Sequence, residues 1–337
     1  MQKREPALDL LRCLALLLVV SFHSFLNNGY YSEAQRGTAM WLAGSFRWLS
    51  VCCIGLFLML TGYLKSGKTE VGACHRGLIP VLLGYLLASA ISIPIRHFWL
   101  GDVQTFSTWL QRLLRFSGVY YGWYVGMYVG LVLLSPFLNL LLERLDPRKL
   151  LLLAGTLLVL TGVPRALPWP IAPDYWRAAY PLTYYVLGAM VRRLQPRIPP
   201  MLGIAAALGM ALLLGGATVL STDGRLSDAL TWEFGDLWIV LMVLCLFVSI
   251  YQIKISPALG RILAFGAEGC YGGYLLSHLL DAWCYRRAAL WHSPGLYPKL
   301  FLFVTLPIFL CSVLGGWLLQ RLMRGKGRTK CLCERSL

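Results

Sequence analysis

Three ionisable residues lie inside or at the edge of the first long apolar run of this sequence: Asp9, Arg12 and His23. An α-helix turns about 100° per residue, so Arg12 and His23 fall on one face to within about 20° and lie about 16 Å apart along the axis. Asp9 precedes Arg12 by three residues, close enough to pair with it across one turn. An ionised group in hydrocarbon costs about 2.5 kcal/mol or more, so three along one span need a reason. Imidazole titrates near neutral pH and takes a proton from a hydroxyl; a guanidinium grips phosphate through two parallel hydrogen bonds. His23 with Asp9 are therefore the candidate catalytic residues and Arg12 a candidate phosphate contact. Two bland alternatives stand beside this: His23 bonded to a neighbouring helix for packing, and Arg12 snorkelling to the near interface.

The elements that position these groups are set by composition. Of 337 residues 58% are hydrophobic and only 14% charged, well short of the roughly 25% that covers a soluble domain. Apolar runs near 20 residues recur along the chain, which predicts an all-α polytopic membrane protein in the lipid bilayer. The expected spans are ten, at 8–27, 41–64, 77–96, 121–142, 150–164, 178–192, 200–220, 235–253, 262–284 and 299–323, in one domain over 1–337. The first run resembles a secretory signal, but Asp9 and Arg12 interrupt it and no small-x-small site follows, so it reads as an uncleaved span.

The net charge of +16 suggests a nucleic-acid partner until position is considered. The basic residues sit in short loops, where they orient spans, and no nucleic acid is expected. Most of the ten cysteines fall in or beside apolar runs as small hydrophobes. Cys331 and Cys333, in the basic tail, stay unassigned. There is no G-x-S-x-G elbow, no phosphate-binding P-loop and no zinc-ligand spacing, so no metal is expected.

Lys and Arg fall mainly on one side of the alternating loops, which predicts both termini in the cytoplasm. Arg12 is then near the inner face and His23 about two-thirds of the way across. Lys65, Lys68 and Arg76 surround the inner start of the third span and form, with Arg12, a cationic mouth. In the ninth span Tyr271, Tyr274, His278 and Asp281 make one polar stripe, with His278 at the depth of His23. The outer side is rich in aromatics, among them Trp99, Trp109, Tyr120, Tyr121, Trp123 and Tyr124. Most suit an interfacial belt, and Trp123 and Tyr124 are candidates to stack on a sugar. Glu233 and Asp236 open the eighth span, where they can accept sugar hydroxyls or simply be solvated.

Four stretches together resemble the membrane acyltransferase family 3. They are L-D-L-L-R with R-x10-H from Asp9 to His23, F-L-M-L-T-G-Y-L at 57–64, W-Y-x-x-x-Y followed by S-P-F within 123–137, and Y-L-L-S-H at 274–278. They occur in the family's order over nearly the whole chain, and the compact form is similar to surface-glycan O-acetyltransferases. The resemblance implies transfer of an acyl group, usually acetyl from cytoplasmic acetyl-CoA, to a hydroxyl of an outer-face or lipid-linked glycan. It implies that His23 is the catalytic histidine and Arg12 its partner near the donor, with Arg76, Lys65 and Lys68 around the donor. It departs at H-R-G-L-I-P (75–80), where the family often carries a second arginine. His278, Tyr274, Trp123, Tyr124, Glu233 and Asp236 are the candidates on the acceptor side. The competing reading is a secondary transporter or flippase with Asp, Arg and His as a proton relay; inverted repeats with matched broken helices would favour it, and none is found.

Overall fold

The computed structural model describes residues 4–32, 36–165, 171–221, 234–287 and 296–324. Among these residues the chain is helical and contains no strand. A backbone in hydrocarbon must satisfy its own hydrogen bonds, and a helix does so within one segment. The helices are α1 (Pro6–Asn27), α2 (Gly37–Lys65), α3 (Val71–Arg76), α4 (Ile79–Phe98), α5 (Phe106–Leu114), α6 (Trp123–Arg144) and α7 (Pro147–Gly162). They continue with α8 (Tyr180–Leu194), α9 (Pro200–Ser221), α10 (Leu237–Ile250), α11 (Pro257–Arg287), α12 (Tyr297–Leu300) and α13 (Leu306–Arg324).

Proline sets many of the starts. Pro6, Pro80, Pro147 and Pro181 occupy the first turns of α1, α4, α7 and α8, where the missing N–H costs nothing. Asp146 caps α7 by accepting from the Lys149 backbone N–H at 2.9 Å. Thr105 caps α5 in the same manner.

Each of the ten expected spans meets a helix. Six segments are both long and apolar enough to cross a membrane: Pro6–Asn27, Gly37–Lys65, Val71–Phe98, Trp123–Arg144, Pro200–Leu220 and Tyr297–Met323. The other four differ for physical reasons. α7, α8 and α10 have 16, 15 and 14 residues, short of the roughly 20 that span hydrocarbon untilted. α11 has 31 residues but carries Arg261, Glu268, Asp281, Arg286 and Arg287 along its length.

Between α4 and α6 the sequence analysis expected only a loop. The structure has α5 there, fastened by charge. Trp109 lies between two guanidiniums, 5.0 Å from Arg96 and 5.1 Å from Arg112, and both arginines ion-pair with Asp102. Burial pushes the Asp102 carboxyl up, but hydrogen bonds from Gln104, Arg96 and Arg112 outweigh it and hold the group below its usual value. Trp109 therefore packs inward, not toward lipid. Phe106, Leu110 and Leu114 form the opposite, exposed face of α5.

α2 is the central helix, packed against α1, α8, α9 and α10, while α11 packs on α1, α4 and α13. α1 thus lies between the two groups, and 78% of its apolar window is buried. Glycines permit the close crossing of α2 with α8. A Cβ on Gly62 would sit 2.0 Å from the Tyr185 carbonyl oxygen, and one on Gly188 would sit 2.0 Å from that of Met59. Gly62 is the glycine of F-L-M-L-T-G-Y-L, so that motif's small residue is a packing requirement. We expect Gly188→Ala to lower the midpoint of thermal unfolding of the purified protein, since overpacking costs about 1–3 kcal/mol. Gly130→Ala, where nothing lies within 4 Å, should leave it unchanged or raise it slightly; equal midpoints for both variants would refute this account of the crossing.

Candidate active site

The N-terminal end of α1, expected to face the cytoplasm, is organised by Asp9, which is 1% exposed. It accepts from Arg4 Nε at 2.6 Å and from Arg12 Nη1 at 2.6 Å. A carboxylate buried this deeply needs both cations to offset its desolvation, and in return it fixes where Arg12 points. Asp9 stands about 21 Å along the helix from His23. Its carboxylate is engaged by two arginines at the other end of α1, away from the histidine.

Arg12 lines a narrow pocket of about 50 Å³ between α1, α2, α6 and α11, with Thr61, Leu64, Tyr128 and Tyr271 among its other walls. Lys65 is the last residue of α2 and is buried. Its carbonyl and that of Lys68 both accept from Asn139 Nδ2, at 2.7 and 2.8 Å, while Asn139 Oδ1 accepts from the Tyr185 hydroxyl at 3.0 Å. Asn139, which sequence reasoning passed over, thus staples the 65–68 turn to α6. Lys68 and Arg76 are exposed, and neither side chain makes an ion pair among the described residues.

His23 is buried near the outer end of α1 and lines a larger cavity of about 820 Å³. Its ring lies flat on Tyr121, with centroids 3.6 Å apart and planes 6° from parallel. The buried Nδ1 makes no hydrogen bond of normal geometry, which leaves Nε2 as the nitrogen that faces the cavity. The remaining wall is aromatic and apolar, with Phe22, Tyr120, Trp123, Tyr180 and Phe234. Trp123 and Phe234 stack at 5.7 Å. A wide aromatic chamber with one imidazole suits proton abstraction from a hydroxyl on a ring that stacks.

Tyr274 lines both spaces. Its hydroxyl donates to the Tyr121 carbonyl, and Tyr124 meets it edge-on at 5.5 Å. Arg12 in the inner pocket and His23 in the outer cavity thus share Tyr274 as a wall between their two spaces.

A family model described as an acyltransferase domain matches residues 5–321. The chain belongs to acyltransferase family 3. No curated protein and no solved structure matches it. With six apolar helices, this acyltransferase is a multi-pass membrane protein.

The structure sorts the other candidates of this acyltransferase. Trp123 lines the cavity that His23 lines, whereas Tyr124 lines the pocket of Arg12. His278 is buried rather than interfacial. Its Nδ1 faces the Leu275 carbonyl at 3.0 Å and its ring meets the edge of Tyr121 at 5.9 Å. It stands behind Tyr121, so its expected contact with the acceptor is indirect. Asp236 precedes α10 and pairs with the buried Arg177 at 3.2 Å, so one of its carboxylate oxygens is already engaged within the protein. Glu233 lies outside the described residues. Among those residues no group of His, Cys, Asp and Glu is arranged to hold a metal. Arg192, expected as an orientation charge, also donates to the Tyr63 hydroxyl at 3.2 Å and pairs with Glu5 at 3.4 Å.

Proposed function

We propose that this acyltransferase moves an acetyl group from cytoplasmic acetyl-CoA to a hydroxyl of an outer-face or lipid-linked glycan. The observation that carries the reading is the partition of α1: Arg12 lines the inner pocket, His23 lines the outer cavity, and Tyr274 lines both. The donor's phosphates belong at the inner mouth with Arg12, Lys65, Lys68 and Arg76, where guanidinium and ammonium groups match them. The pantetheine arm then extends along α1 past Tyr274, and its thioester reaches His23.

In the reaction, Nε2 of His23 removes the proton of the acceptor hydroxyl while that oxygen attacks the thioester carbonyl. The C–S bond breaks, the ester C–O bond remains, and the thiolate takes the proton back from the imidazolium. Proton and acyl group both balance with no further reactant. Family membership favours this reading over transport.

The reading also requires all ten long helices to cross, in the cell membrane, with both termini and the 65–76 segment inside. It is tested by labelling. A cysteine at Ser107, exposed on α5, should react with an impermeant thiol reagent on intact cells above the parent chain's background. One at Glu70, exposed before α3, should react only after permeabilisation. The reverse pattern would set His23 on the donor's side and overturn the cross-membrane route.

A further inference from the structure

His23 poses a problem for its own assignment. A histidine base is ordinarily held in one orientation by a hydrogen bond to its second ring nitrogen, and here Nδ1 makes none of normal geometry. Besides a loose approach to the Val19 backbone one turn back on α1, what holds the ring is Tyr121, face to face at 3.6 Å. Tyr121 is in turn fixed at two points. Its hydroxyl donates to Asp281 Oδ2 at 2.9 Å, and its backbone carbonyl accepts from the Tyr274 hydroxyl. Both anchors belong to the polar stripe of α11, the helix that packs directly on α1. Asp281 is 1% exposed, and the only hydrogen bond its carboxyl makes among the described residues is the one from Tyr121.

We propose that Tyr121, clamped by Asp281, is the positioning residue for His23 and stabilises it as it gains the proton. The proposal rests on His23 being the base. Two physical effects follow from the stack. The tyrosine face prevents rotation of the imidazole, so that Nε2 stays turned to the outer cavity. When the ring becomes imidazolium, it also becomes a cation lying on an aromatic face in a site closed to water on that side, where the attraction is strongest. The contact is then stronger after proton transfer than before it, which is the condition for lowering a barrier and not only for binding. Asp281 touches no reacting atom in this scheme; it sets the tilt of Tyr121 through the phenol oxygen, and a buried carboxyl placed there needs such a partner.

The test measures transfer of radiolabelled acetyl-CoA into the glycan fraction of membranes from the producing strain, with each variant normalised to its amount in the membrane. Tyr121→Leu should lower kcat on the order of 30-fold, the size of a desolvated cation–π contact, with KM for acetyl-CoA unchanged. Tyr121→Met, which fills the space with a flexible chain and no aromatic face, should behave like leucine and serves if the leucine variant fails to accumulate. Tyr121→Phe restores the face without the clamp and should recover activity to within about fivefold of the parent. Asp281→Asn should match Tyr121→Phe.

A leucine or methionine variant with kcat within twofold of the parent would overturn the proposal. So would a phenylalanine variant as poor as leucine, since the ring face would then not be what matters. His23→Gln in the same membranes separates the two levels. If His23→Gln is active, the base assignment itself fails. If it is inactive while Tyr121→Leu works at the parent rate, only the role of Tyr121 fails.

Discussion

Replacing His23 with alanine should abolish acyl transfer and leave the chain inserted and folded. Loss of a general base costs about 10²–10⁴ in rate, larger than any packing effect at this site. The side chain gives up little structure when removed, because Nδ1 makes no hydrogen bond of normal geometry and the stack on Tyr121 is its principal contact. The vacated space adjoins a cavity of about 820 Å³, so truncation enlarges an existing space and does not open a sealed void. Acetyl incorporation into surface glycan by a strain carrying only the variant measures this, with membrane abundance as the control. Incorporation near the parent's at equal abundance would remove His23 from the mechanism.

Replacing Arg12 with alanine should raise the KM for acetyl-CoA about 10- to 100-fold with a smaller change in kcat. A hydrogen bond to a charged group contributes about 1.5–3 kcal/mol, and each 1.4 kcal/mol is tenfold. Arg12→Lys should recover part of the loss, since an ammonium keeps the charge but cannot hold Asp9 and a phosphate in the same fork. Asp9→Ala should resemble Arg12→Ala more than His23→Ala, because Asp9 orients the arginine at 2.6 Å and stands far from the histidine. Titrating acetyl-CoA in isolated membranes separates these outcomes. An unchanged concentration dependence in Arg12→Ala would place the donor elsewhere.

The helices were legible because a backbone in hydrocarbon must satisfy its own hydrogen bonds, and each of the ten apolar runs meets a helix to within a few residues at most ends, six segments being long and apolar enough to cross. α5 was not, since its nine residues are too few for a hydropathy window and its stability comes from Arg96, Asp102 and Arg112 meeting in space. The one-face relation of Arg12 and His23 needed only helical arithmetic. The partners of Asp9 and Asp236 were not legible, because sequence shows a carboxylate but not which arginines claim it: Asp9 pairs with Arg4 as well as Arg12, and Asp236 with Arg177. Tyr121 was read as one more belt aromatic. Its signal was present in the α11 stripe, where Tyr274 and Asp281 are seven residues apart on one face, but nothing in the sequence says that one residue bonds to both.

The wall at Tyr274 between the two spaces has an electrical consequence. The inner pocket, at about 50 Å³, has room for a few waters at most, and Tyr274 is a wall of it and of the outer cavity alike. In the proposed orientation the membrane potential then falls largely over the packed region around this pocket and not over the wider outer cavity. Moving one elementary charge through such a drop involves about 2.3 kcal/mol per 100 mV. In the proposed reaction the donor's phosphates stop at Arg12, and only a neutral acetyl group on a neutral arm passes Tyr274. Transfer then does no work against the potential, and the rate should be the same in energised and de-energised vesicles.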